Sequence, residues 1–203
     1  THTLIQKISI FCMLKLLSIQ QNEIQNEDHY IINNELDDLL NKELVELFLK
    51  ANDCIDDENF LEAIEFYNLI LKIDPKNISA LIDKGVTLQI LGRIKLSIRS
   101  FDKALELSPK NIDALINKGS ALHLSEQYFD AIDCYDEALK IDPKYSMALA
   151  YKGLSLGELG NLTDSIGCFK KALSIDEHCT LAQISKDTAQ ELLKSINSNS
   201  KKL

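Results

Sequence analysis

From Leu44 to Cys179 the alternation of apolar and polar positions recurs at one constant interval, the step in sequence from Leu47 to Leu81. Counting from Leu44, the fourth position of successive stretches holds Leu47, Leu81, Leu115 and Leu149, and the eleventh holds Cys54, Leu88, Leu122 and Leu156. Between them the eighth holds Ala51, Gly85, Gly119 and Gly153. These positions fall on one stripe of a helix with 3.6 residues per turn. A second stripe follows at the twentieth position (Ala63, Ser97, Ala131, Ser165), the twenty-fourth (Tyr67, Phe101, Tyr135, Phe169) and the twenty-seventh (Ile70, Ala104, Ala138, Ala172). Each stretch therefore predicts two amphipathic helices. Small residues let their backbones approach closely, and the aromatic ring fills the volume left open. Gly92 and Gly160 stand where the first helix of a pair must end and suit a left-handed cap; Glu58 and Glu126 occupy the same place in the other two stretches.

The punctuation has the same period. Pro75, Pro109 and Pro143 are the three prolines of the chain, and Glu177 stands at the fourth such place. Proline disfavours helical geometry in the residue before it and has no N–H, so "DP" stops the second helix, and Asn77 and Asn111 are placed to cap the next one. The expected organisation is four repeats, 44–77, 78–111, 112–145 and 146–179, preceded by an N-terminal segment 1–43. A capping helix is expected over 180–196, with Leu181, Ile184, Leu192 and Ile196 forming its buried stripe, and a polar tail over 197–203. Within the N-terminal segment, residues 20–28 read as a polar linker and 33–53 as one helix running into the first repeat. The apolar stretch 4–19, "LIQKISIFCMLKLLSI", is interrupted by Lys7 and Lys15 and is too short to span a bilayer. It has no small-residue cleavage site and is read as an N-terminal cap, with a membrane or partner anchor as the alternative.

Small residues at positions 8, 20 and 27, an aromatic at 24 and proline at 32 resemble the signature of the tetratricopeptide repeat family. The departures are leucine for tryptophan at position 4, lysine for leucine at position 7, Cys54, Ile70 and the missing fourth proline. The resemblance implies an all-α fold: an α-α superhelix, or α-solenoid, of four helix-turn-helix repeats closed by the capping helix. It also implies a non-enzymatic protein-interaction scaffold whose first helices line a concave groove for a peptide or partner segment. On that basis the partner-binding residues are Asn52, Ile82, Asp83, Val86, Ile116, Asn117, Ser120, His123, Tyr151 and Leu154. Chaperone-binding members of the family grip a C-terminal carboxylate through lysine, arginine and asparagine; here only Asn52 matches in one register and Asn117 in the next, so that clamp is not expected.

Composition narrows the field. The chain has 203 residues, 45% of them hydrophobic, which supports a real core, and its 7 glycines and 3 prolines are too few for a strand-and-turn protein. A net charge of −9 argues against a nucleic-acid partner. Residues 44–77 carry 3 basic and 8 acidic side chains, whereas 78–111 carry 6 basic and 3 acidic, including Arg93, Lys95, Arg99 and Lys103, read as a solvated helix face. Five cysteines without a CxxC pair indicate reduced thiols, a cytoplasmic setting and no metal site.

No chemistry of another kind is expected. The glycine cluster Gly153–Gly160 has neither GxGxxG spacing nor a preceding strand, so no cofactor is implied. His178–Cys179 lacks an orienting acid. Cys134 and Cys168, one repeat apart, are beyond disulfide reach. Lys50, Lys84, Lys118 and Lys152 recur at position 7, either as a basic rail for an acidic ligand or, as favoured, as stems laid over the neighbouring helix. Two further readings stand beside the scaffold. The chain starts at Thr1 with its first methionine at Met13, as would a regulatory or targeting fragment of a larger protein, even an enzyme; and Phe48 and Leu49, left uncovered, would make it self-associate.

Overall fold

The computed structural model describes the backbone from Asn26 to Ser200 and the side chains from Asp38 to Asn197. The apolar stretch 4–19, the linker up to residue 25 and the tail beyond Ser200 lie outside the described residues, and with them the expected N-terminal cap. Among the described residues there are nine helices and no strand: α1 (Asn26–Asp56), α2 (Phe60–Ile73), α3 (Ile78–Ile90), α4 (Ile94–Leu107), α5 (Ile112–Leu124), α6 (Tyr128–Ile141), α7 (Ser146–Glu158), α8 (Leu162–Ile175) and α9 (Thr180–Ser200). The fold is an all-α helical-repeat solenoid. Helix α1 starts within the expected linker, and α9 runs into the expected polar tail. The chain divides into two compact units, one up to Pro75 and one from Lys76.

In the first unit α1 and α2 pair as a hairpin. Leu47 and Ala51 of α1 are buried, as are Ala63, Ile64, Tyr67 and Ile70 of α2. Phe48 meets Tyr67 edge to face with ring centroids 6.4 Å apart.

In the second unit α3–α4, α5–α6 and α7–α8 are hairpins built on one contact. A Cβ on Gly85, Gly119 or Gly153 would lie 2.5, 2.5 or 2.6 Å from the ring of Phe101, Tyr135 or Phe169 respectively. Each ring lies directly on the backbone of the first helix, and any larger residue at the glycine would overlap it. The position-20 serines differ. Ser165 Oγ donates to the Gly153 carbonyl at 2.7 Å, whereas the buried Ser97 Oγ has no hydrogen-bond partner among the described residues. Ser97→Ala should therefore raise stability by about 1 kcal/mol while Ser165→Ala lowers it by about as much, because an unpaired buried hydroxyl is costly and a paired one is not. Urea denaturation of both variants checks this, and equal shifts would refute it.

The turn within each hairpin is the same whether or not glycine is present. Gly92 and Gly160 have φ of 69° and 77°, and Glu58 and Glu126 adopt φ of 59° and 62°. In the α5–α6 turn Gln127 N–H reaches the Leu122 carbonyl at 2.9 Å, as Arg93 N–H reaches Leu88 at 2.8 Å and Asn161 N–H reaches Leu156 at 2.9 Å. The repeat imposes the left-handed cap on glutamate, at a cost of about 1 kcal/mol. Glu126→Gly should recover most of it and raise the melting temperature by about 3 °C; an unchanged or lower melting point would show that this turn is not strained.

Helix starts follow the expected caps: Asn77 Oδ1 accepts from Ala80 N at 3.0 Å and Asn111 Oδ1 from Ala114 N at 2.8 Å. Helix ends need no proline. Helix α8 stops at Ile175 although Glu177 replaces proline, because Asp176 is extended and its Oδ1 accepts from His178 N at 3.0 Å. Asp142 makes the same turn with Lys144 N beside Pro143. The aspartate before the proline position is thus a sufficient stop.

Helix α9 packs on α7 and α8 with a different face from the one expected. Ala182, Ala189 and Cys179 are buried and Leu181 and Leu193 pack beside them, but Ile184, Leu192 and Ile196 are 63%, 49% and 50% exposed. Small residues let the helix lie close to its neighbours, and the larger ones would prop it away.

Candidate functional site

The second unit has an inner face made by its first helices. Helix α3 touches α5, α5 touches α7 and α7 touches α9, whereas no comparable contact joins α4, α6 and α8. Closer approach on one side of a stack of hairpins makes that side concave. Ile82, Asp83 and Val86 on α3, Asn117, Ser120 and His123 on α5, and Tyr151 and Leu154 on α7 are all partly exposed. Ile116 differs: it is only 7% exposed and packs in the cluster of Leu115, Tyr135 and Ala148, so it supports the face from beneath. Asn52 is exposed on α1 and belongs to the first unit.

Hydrogen bonds tie neighbouring inner helices together. Gln89 Nε2 donates to Ser120 Oγ at 3.1 Å, and His123 Nδ1 and Ser155 Oγ share a bond of 2.9 Å. Burial lowers the His123 pKa against the opposing pull of Glu158. Tyr128 meets the His123 ring edge to face at 5.2 Å. Asn117 Nδ2 is already committed to the Asp113 carbonyl of its own helix at 2.9 Å. Tyr151 stacks on the buried Tyr135 with ring centroids 5.9 Å apart, which holds its ring flat against the repeat before it. Burial raises the Asp83 carboxyl above its ordinary range, and burial together with Asp113 and Tyr151 raises Tyr145.

Two members of the lysine ladder, Lys118 and Lys152, are structural. Lys118 Nζ meets Asp102 Oδ1 at 2.7 Å, and Lys152 Nζ meets Asp136 Oδ1 at 2.5 Å; each bridges to the second helix of the preceding repeat. Burial lowers the Lys118 pKa, but the hydrogen bond and charge of Asp102 outweigh it and the net shift is upward. Those carboxylates lie at position 25, and their recurrence beside the position-7 lysines was a readable signal. Lys50 pairs within its own helix with Glu46 at 2.7 Å. Arg93, Lys95, Arg99 and Lys103 are exposed on α4 and its cap, the solvated face expected of them.

The other candidates resolve into packing. Gly153 underlies the Phe169 ring and Gly160 is a turn residue. His178 is exposed, while Cys179 is buried with Sγ 4.0 Å from Met147 Sδ, so the adjacent pair does not converge. Burial pushes the Cys134 thiol up to about 11, making it a poor nucleophile. Among the described residues no cluster of His, Cys, Asp and Glu could hold a metal, and no helix is long and apolar enough to cross a membrane.

Stacked helical hairpins with a glycine–aromatic contact and a concave inner face define a helical-repeat protein. Tetratricopeptide repeat family models match residues 78–111 and 112–145. These two repeats belong to the tetratricopeptide repeat family. It is similar to the crystal structure of MamA, with 27% identity over 70% of this chain and 82% of that one and a TM-score of 0.64. A tetratricopeptide repeat protein from Parabacteroides merdae gives 23% identity, 77% and 62% coverage and a TM-score of 0.67. YrrB, described as a TPR protein with an unusual peptide-binding site, gives 21%, 71% and 74%, and 0.58. No curated protein sequence matches the chain significantly.

Proposed function

We propose that the chain is a non-enzymatic interaction scaffold that binds a peptide or extended partner segment along the inner face of α3, α5 and α7. The observation that carries this reading is the row of partly exposed apolar and hydrogen-bonding side chains there, Ile82, Asp83, Val86, Ser120, Tyr151 and Leu154, with Lys118 and Lys152 engaged in ion pairs to the preceding repeat. Ser120 offers a hydroxyl to a partner backbone, and Tyr151 and Leu154 offer apolar contact. The charged side chains of this face, Asp83, Asp113 and Glu158, repel a C-terminal carboxylate, so the ligand is not of the chaperone-tail kind. A reducing, cytoplasmic setting belongs to the same reading, supported by the free thiols of Cys54, Cys134, Cys168 and Cys179.

The test is affinity capture from native extract with the chain and with an Asp83→Lys, Asn117→Ala, Tyr151→Ala variant whose helicity is confirmed by circular dichroism. A protein retained by the first and lost by the second is the expected outcome. Equal capture would move the binding surface elsewhere and refute this reading. Self-association is the second reading, favoured by Leu49, which is 58% exposed on α1, although Phe48 is engaged by Tyr67. Light scattering that gives only monomer across a concentration series would remove it.

A further inference from the structure

Helices α8 and α9 leave an open groove of about 530 Å³ between them, to which Ile166 and Leu193 give apolar surface and Lys170 and Lys194 give charge. No carboxylate is among its lining residues. Both lysines are exposed, and neither makes an ion pair among the described residues. This charge departs from the repeat. Lys170 stands one repeat length beyond Asp136 and two beyond Asp102, the aspartates that hold Lys152 and Lys118 of the following hairpins. Their counterpart on α9, Lys186, meets Asp187 of its own helix at 3.7 Å instead. The nearby acids are engaged elsewhere. Asp164 Oδ2 accepts from Asn161 and Asp187 Oδ2 from Gln183, each at 2.7 Å, while Glu191 stands at the inner-face position of Gln89 and His123 and does not line the groove.

Helix α9 is equivalent to α3, α5 and α7, but among the described residues no second helix follows it, and the groove lies beside it where such a helix would pack. Gly167 leaves room there, since a Cβ on it would meet nothing within 4 Å. The charge selects an acidic helix. A groove of about 520 Å³ on α6 is lined instead by Asp133, Asp136 and Glu137 and would repel one. Helix α1 has the required character. It has 31 residues, whereas its hairpin partner α2 has 14 and follows from its C-terminal end, so the N-terminal half of α1 runs past α2. Residues 26–41 include Glu27, Asp28, Glu35, Asp37 and Asp38 and no lysine or arginine. Ile32, Leu36 and Leu39 recur there at the spacing of an amphipathic helix, and Leu39 is 67% exposed.

We infer that the groove between α8 and α9 receives the acidic N-terminal half of α1 from a second copy of the chain, with its carboxylates at Lys170 and Lys194 and its apolar stripe on Ile166 and Leu193. This deepens the self-association reading and rests on it; the inner face takes no part. Charge complementarity selects the helix, and the apolar surface on both sides gives it something to bury. Groove and helix are different surfaces, so the contact is heterologous, and each added copy offers a free groove and a free helix. One helix on one groove is at the small end of specific interfaces, which places the dissociation constant on the order of 10–100 μM.

The experiment is sedimentation velocity on the full chain at low salt across a concentration series. The mass should rise with concentration, and added salt should reverse the rise. A groove variant, Lys170→Glu with Lys194→Glu, changes only exposed side chains and should weaken association about tenfold or more. A helix variant, Glu35→Lys with Asp38→Lys, should do the same, and circular dichroism checks that both remain helical. Mixing the two variants is the deciding step. Each groove then meets a helix of opposite charge, and association that neither variant shows alone should return. Only monomer from the unaltered chain at every concentration overturns this inference and the self-association reading together. Association that survives both variants leaves self-association standing and overturns this interface. Association that each variant loses and the mixture does not restore overturns the pairing of α1 with the groove.

Discussion

Gly119→Leu is expected to lower the melting temperature by about 10 °C, corresponding to about 3 kcal/mol of overpacking. A Cβ on Gly119 stands 2.5 Å from Cε1 and 2.9 Å from Cζ of Tyr135, inside van der Waals contact, and leucine adds more atoms in the same direction. The ring has nowhere to go. It is 1% exposed, stacked against Tyr151, and flanked by Ala131 and Ala138 of its own helix, both fully buried. Gly119→Ala should cost less with the same sign. Gly167 is the control: a Cβ there meets nothing within 4 Å, so Gly167→Ala should stabilise helix α8 by about 0.5–1 kcal/mol. A general intolerance of helix glycines to substitution would make the two sites behave alike. Since repeats are held by nearest neighbours, damage at α5–α6 uncouples α3–α4 from α7–α9, and the urea transition of Gly119→Leu should also broaden. An unchanged thermal midpoint would mean that the glycine and the ring are not in register.

The pairing of Gly85 with Phe101, Gly119 with Tyr135 and Gly153 with Phe169 was readable because a small residue and a ring recur at the same two positions of successive repeats. The asparagine caps were readable for the same reason. What escaped the sequence depends on context that the local pattern does not carry. Glu126 has no intrinsic preference for φ of 62°; the turn takes that value because three equivalent turns share its hydrogen bonds. On α9 the larger side chains suggested the buried stripe, but close packing selected Ala182 and Ala189 and left Ile184 and Leu192 outside. Ile116 stands at the position that leaves Ile82 partly exposed, yet it is buried, because Tyr145 and Tyr151 pack on the same cluster. The partners of Lys118 and Lys152 belong to the preceding hairpin, on α4 and α6, and meet them only when hairpins stack.

Phe169→Ala should destabilise the C-terminal end of the array by about 4 kcal/mol, the cost of an unfilled cavity in a tight core. Phe169 is 1% exposed in a cluster with Leu162, Ile166, Cys179 and Ala182, and its ring covers the bare backbone of Gly153. Part of the lost volume can be returned from the opposite side. Gly153→Ala alone should destabilise, since its Cβ would stand 2.6 Å from the ring, but in the Phe169→Ala background it should be neutral or stabilising. That change of sign isolates the contact from any general effect of either substitution. Hydrogen exchange gives the spatial readout. Amides of α8 and α9 should lose protection while those of α5 and α6 retain it, because the damage crosses only one repeat interface. Uniform loss across the second unit would mean that it unfolds as a single body. Local loss would instead show that the damage is confined to the C-terminal repeat interface.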